Sequence, residues 1–132
     1  MNISNTNNND NLISNNLGFY LYELLGTDYS GVYLTNAEIK KIADKLQIDI
    51  KLIDNHKIFA EILKLAKEQN LLVDVLSEIK ILFETRLKTY DELSEKFSNA
   101  KDPIEEWQIK AKRAVRKIES AIKEVQSESN SN

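Results

Sequence analysis

From residue 104 to residue 125, the apolar residues Ile104, Trp107, Ala111, Ala114, Ile118, Ala121 and Val125 recur in alternating steps of three and four. An α-helix gathers such a row onto one side, because positions three and four apart lie one above the other. A strand would scatter it over both faces. The start is marked too: Asp102 fits an N-cap, Pro103 the first helical position, and Glu105 completes a capping box. Residues 102 to 126 are expected to form one helix about 37 Å long at ~1.5 Å per residue. Val115 and Ile122 sit beside the row. It resembles a coiled-coil seam, and its alanines allow a second helix to come close. That second helix can belong to the same chain or to another.

A long one-sided helix needs other elements to cover it. Breakers are scarce, with three glycines and one proline in 132 residues, which favours long helices over a many-turned β-fold. Leu17, Leu21, Leu24 and Leu25 fall at helical spacing, with Phe19, Tyr20 and Tyr22 alongside and Gly26 as a C-terminal cap. A loop carrying Tyr29 and Tyr33 follows. Thr35 and Glu38 form a capping box for a helix lined by Ile39, Ile42, Ala43 and Leu46. Asp54 or Asn55 can cap a third, with the stripe Ile58, Phe59, Ile62, Leu63 and Ala66. The segment around Leu72, Val75, Leu76, Ile79, Leu82 and Phe83 is apolar on most sides, so the central, most buried helix is expected there. Its continuation runs through Leu87, Tyr90, Leu93 and Phe97. Thr89 and Glu92 spell another capping box, so residues 70–98 read as one helix or two. The expected fold is all-α, a bundle of four to six helices with a long C-terminal amphipathic helix. One domain should span residues 17–126, between disordered tails at 1–16 and 127–132 that offer few apolar side chains to offset ordering entropy.

Composition removes several chemistries. There is no cysteine, hence no disulfide, thiolate metal site or cysteine nucleophile. His56 is the only histidine, so no two-histidine metal site forms, and no nucleophile-elbow motif accompanies it. The three glycines are isolated and make no phosphate-cradling loop. The carboxylates Glu78, Glu84, Asp91, Glu92 and Glu95 are spaced as a solvated helix face. No catalytic residue, cofactor or metal is expected, and the protein is read as non-enzymatic. Runs such as Leu71-Leu72-Val73 are far too short to span a bilayer. The N-terminus has no basic start and no apolar core of a signal peptide, so a cytoplasmic protein without membrane contact is expected.

Residues 42 to 57, IADKLQIDIKLIDNHK, resemble the helix-turn-helix of DNA-binding proteins. Ile42, Ala43 and Leu46 match the buried positions of its first helix, Ile48 the apolar residue after the turn, and Ile53 a buried position of the second. The resemblance implies that the second helix reads DNA. Two positions depart from the pattern. Gln47 stands where the family has glycine, and His56 where an apolar side chain packs. Asp49 and Asp54 would face phosphates. The run from Ile58 to Ile79 is also similar to the small helical effector-associated domains of bacterial defence and signalling proteins, which resemble death-fold adaptors and act by helix-to-helix association. That likeness rests on a generic amphipathic pattern and has no counterpart beyond Leu87.

The leading expectation for function is protein–protein association, as an adaptor or assembly module working on itself or a partner. Its candidate interface residues are Ile104, Trp107, Ile118, Tyr20, Tyr22, Tyr29 and Tyr33, because buried tryptophans and polar-tipped aromatics dominate interfaces. The alternative is nucleic-acid binding, through the helix-turn-helix-like segment or through Lys110, Lys112, Arg113, Arg116 and Lys117. Against it stand the net charge of −3 and the acids Glu105, Glu106 and Glu119 around that basic cluster. A small-molecule carrier or accessory chaperone with an apolar pocket ranks third, and an enzyme last.

Overall fold

A computed structural model describes residues 25–51 and 55–130. Among these residues the structure is all helix and connection. A single turn, α1 (Thr27–Ser30), leads into α2 (Asn36–Lys45) and α3 (Asn55–Glu68). Then come α4 (Leu72–Lys96), a 3-10 turn (Ser98–Ala100) and α5 (Lys101–Asn130). The 25 residues of α4 and 30 of α5 form a long antiparallel hairpin, and this is the most extensive packing among the described residues. The all-α bundle and the long C-terminal helix are as the sequence requires.

The alanine row explains the hairpin. Ala111, Ala114, Ile118 and Ala121 are buried in the core together with Val75, Leu76, Ile79 and Phe83 of α4. Small side chains on α5 let its axis approach α4 closely while the larger α4 side chains fill the space. Ile58, Ile62 and Leu63 of α3 and Ile39, Ile42 and Ala43 of α2 complete the same core. Each fully buried aliphatic side chain contributes about 1.5–3 kcal/mol relative to exposure. Lys80 Nζ to Glu119 (3.0 Å), Tyr90 against Trp107 (5.9 Å between ring centroids) and a Gln108–Asp91 hydrogen bond fix the register of the hairpin.

Thr35 caps α2 as expected. The Glu38 N–H donates to Thr35 Oγ1 (3.1 Å), and the Thr35 N–H donates to Glu38 Oε1 (3.0 Å). The helix ends with Gln47 in the left-handed region, φ 59°. There the Ile48 N–H donates to the Ala43 carbonyl (2.8 Å) and the Gln47 N–H to that of Asp44 (3.2 Å), the two bonds of a Schellman cap. Asn70 repeats it at the end of α3, with φ 59° and bonds from Leu71 to Ala66 (2.7 Å) and from Asn70 to Lys67 (3.2 Å).

One boundary left open by the sequence is decided, and two differ from expectation. Residues 72–96 are one helix, because Thr89 does not cap: its hydroxyl donates back to the Thr85 carbonyl (3.2 Å), and Thr85 does the same to Ile81 (3.0 Å). Lys101 is already helical (φ −60°, ψ −43°), so Asp102 lies inside the first turn of α5 instead of capping it. Its charge still favours that end of the helix dipole. Finally, α5 runs to Asn130, beyond the expected boundary at residue 126. The expected tail at 1–16, the helix from Leu17, and Asp54 as a cap lie outside the described residues.

Candidate interaction surface

The segment before α2 is locked onto the hairpin at one end. The Gly26 carbonyl opens α1 by accepting from the N–H groups of Tyr29 (3.1 Å) and Ser30 (2.9 Å). Ser30 is buried, and its hydroxyl accepts from the Val32 N–H (3.1 Å) while facing the carbonyls of Val32 (3.1 Å) and Leu25 (3.4 Å). The chain then turns at Gly31, φ 69°, directly over the backbone of Trp107. The Tyr90 hydroxyl of α4 donates to the Gly31 carbonyl (2.5 Å). Burial pushes the Tyr90 phenol above its ordinary value, with the Arg86 charge pulling the other way. From α5, Arg113 stacks 4.0 Å from the Tyr29 ring centroid and donates from Nη2 to the Tyr29 carbonyl (3.2 Å). Such a stacked guanidinium contributes roughly 0.5–2 kcal/mol. On the α4 side, Arg86 Nη2 reaches Glu38 Oε2 at 2.7 Å, tying the α2 capping box to the hairpin.

Among the described residues five large apolar side chains stay exposed: Ile109 (65%), Phe97 (57%), Tyr33 (56%), Ile81 (53%) and Trp107 (44%). Phe97 follows α4, and Trp107 and Ile109 lie in the early turns of α5, so these three surround the turn of the hairpin. Tyr33 stands two residues beyond the Gly31 contact on Trp107. Trp107 belongs to the apolar row but falls where the row meets the bundle's end, so its ring rests on Tyr90 along one side and meets solvent along the other. The expected interface residues therefore divide. Trp107 and Tyr33 present surface. Tyr29 is half-buried under Arg113. Ile104 and Ile118 are buried within the chain's own core and present none. Tyr20 and Tyr22 lie outside the described residues. Phe97, Ile109 and Ile81 were not among the candidates read from sequence. An apolar residue out of phase with the α5 row was the signal for Ile109.

The basic cluster divides in the same way. Lys112, Arg116 and Lys117 are exposed, and Lys123 continues them along α5. Arg113 is engaged with Tyr29, and Lys110 is half-buried beside Gly31 with Glu106 3.7 Å away. In the helix-turn-helix-like segment, residues 46 to 51 are not helical. Ile48 and Ile50 are buried while Asp49 and Lys51 are exposed, the alternation of an extended connection. That connection is longer than the three- or four-residue turn of the motif. Ile53 lies outside the described residues, and His56 falls in the first turn of α3. No described helix is long and apolar enough to cross a membrane.

No protein-family model, curated protein or solved structure matches this chain.

Proposed function

We propose that this protein is a non-enzymatic helical interaction module, an adaptor or assembly element that presents its α4–α5 hairpin to a protein partner or to a second copy of itself. The supporting observation is the exposure of Phe97, Trp107 and Ile109 around the hairpin turn of an otherwise well-packed body. Covering such side chains removes apolar area from water at about 25 cal/mol per Å². Trp107, braced by Tyr90 and Gly31, loses little freedom on binding and suits an anchor. The test is solution mass by light scattering at two protein concentrations, alone and with interactors recovered from its own cells and then purified. The double variant Phe97→Ser, Trp107→Ala is expected to lose binding of the recovered partner and keep its helicity. Absence of any association, or partner binding indifferent to the two substitutions, refutes the reading.

A second reading is favoured by one observation, the exposed run Lys112, Arg116, Lys117 and Lys123 on α5. It describes a nucleic-acid-binding helix whose affinity falls steeply with salt. Reversing Lys112 and Arg116 tests it, since Arg113 holds Tyr29 and its loss would disturb the fold. Titration of labelled DNA and RNA at low salt without binding removes this option.

A further inference from the structure

The hairpin face turned away from the rest of the bundle carries two opposed stripes of charge. Lys45–Glu78 (2.9 Å) and Arg86–Glu38 (2.7 Å) bind α2 to one flank of α4, and Arg113 with Tyr29 holds α1 against one flank of α5. The remaining face of α4 exposes Asp74, Glu84, Glu92 and Glu95, with Lys88 among them. On α5, Lys112, Arg116 and Lys123 are exposed, and the one acid between Trp107 and Lys123, Glu119, is paired with Lys80. Among the described residues none of these charges is in a direct ion pair, although Glu84 acts through space on Lys80 one turn before it. Each stripe also exposes one isoleucine, Ile81 and Ile109.

We infer that this face is a self-complementary interface through which two copies of the chain pair, α4 of each lying over α5 of the other. The inference rests on the reading of the protein as an interaction module and names its partner. A two-fold axis parallel to the helices produces this swap and keeps every residue at its own height. Heights follow from the Lys80–Glu119 pair. Glu84, four residues on, is level with Val115, between Lys112 and Arg116. Asp74, six residues back, is level with Val125, beside Lys123. Across the axis, Glu84 therefore meets Lys112 and Arg116, and Asp74 meets Lys123. Ile81 comes to lie over the aliphatic stem of Arg116, which covers apolar surface while its charge stays wet. Glu95 comes near Glu105 on the same scheme, so contact is confined to the half away from the hairpin turn. That leaves Phe97 and Trp107 open to a further partner. The neighbouring stripes favour a second copy over a polyanion. A nucleic acid along α5 would run beside the α4 acids at an interaxial distance of about 8–10 Å, roughly one Debye length.

The test is a charge exchange. One variant carries Asp74→Lys and Glu84→Lys. The other carries Lys112→Glu, Arg116→Glu and Lys123→Glu. Helicity is checked by circular dichroism, and Glu84→Gln with Lys112→Gln serves as a milder pair should either variant misfold. The wild type is expected to pair, with affinity falling about tenfold or more as salt is raised. Each variant alone should be monomeric where the wild type pairs, and an equimolar mixture should form a one-to-one pair by light scattering and native mass spectrometry. A monomeric wild type at every concentration, variants that pair alone as tightly as the wild type, or a mixture that stays monomeric overturns the inference. If that monomer still binds a protein through Phe97 and Trp107, the module reading stands and only the self-pairing falls. If it binds labelled DNA or RNA through Lys112 and Arg116, the stripe belongs to nucleic acid and the inference falls.

Discussion

At Gly31 a Cβ would stand 2.9 Å from the Trp107 carbonyl oxygen and 3.2 Å from its Cα, on a backbone with φ 69°. Both neighbours are main chain and cannot swing aside. Gly31→Ala is expected to cost about 2 kcal/mol or more, measured as a lower urea midpoint with unchanged slope. Trp107 and Ile118 should separate in the same assay. Ile118→Ala removes a fully buried side chain and should cost about 3 kcal/mol, whereas Trp107→Ala, with 44% of its surface already wet, should cost less than the ~3–5 kcal/mol of a buried tryptophan. Glu38 carries a pH signature. Burial pushes its carboxyl up, but the Thr35 N–H, the hydrogen bond and charge of Arg86 and the Thr35 hydroxyl together hold it below the ordinary 4.5. A carboxylate with a lowered folded value contributes stability that is present above the unfolded value and lost as pH falls through the folded one. The urea midpoint should therefore drop below about pH 4.5, and Glu38→Gln should flatten that part of the drop while lowering stability at pH 7. The Thr35–Glu38 box was legible in the sequence because it is local. The pairing of Tyr29 with Arg113, 84 residues apart, had no local signature at all.

The helices show where local signals win and where they lose. The α5 row was legible because five of its members, Ile104, Ala111, Ala114, Ile118 and Ala121, are buried at the spacing the sequence displays. Thr89 and Asp102 spell caps equally well, yet both sit inside helices. The packing of α4 along α5 rewards continuity past Thr89, and the 3-10 turn feeds α5 one residue before Asp102. Gln47, read as a departure from a glycine turn, takes up the left-handed conformation nonetheless, held by two Schellman bonds and by buried Ile48. A non-glycine residue pays for that conformation with steric strain. Gln47→Gly should therefore raise stability by about 0.5–1 kcal/mol, seen as a higher thermal midpoint. In the hairpin, Ala114 is fully buried against α4. Ala114→Leu should force the helices apart and cost about 1–3 kcal/mol, with a loss of cooperativity on thermal unfolding if the hairpin loosens.

Among the described residues the molecule is a hairpin braced on both flanks and bare on a third side. Fold class followed from periodicity and from the scarcity of breakers, since both are properties of the chain itself. The surface did not, because exposure is decided by which elements happen to cover a helix. Ile104 and Ile118 looked like anchors and became core, whereas Phe97, read as part of an apolar helix stripe, and Ile109, which carried no expectation, became surface. The charge stripes depend on two helices lying side by side at a fixed register, and neither helix reveals the other's position.

The seat of Trp107 beneath Gly31 and beside Tyr90 also makes the protein its own optical gauge. It is the only tryptophan among five tyrosines, so all indole emission comes from this one junction. With the Tyr90 ring 5.9 Å away, excitation absorbed by the phenol passes efficiently to the indole. Release of the Gly31 segment would shift the indole band to the red, parting of α4 from α5 would restore tyrosine light, and a partner covering the hairpin turn would shift the band to the blue. Unfolding of that segment and docking on that turn can thus be told apart by colour, without a label.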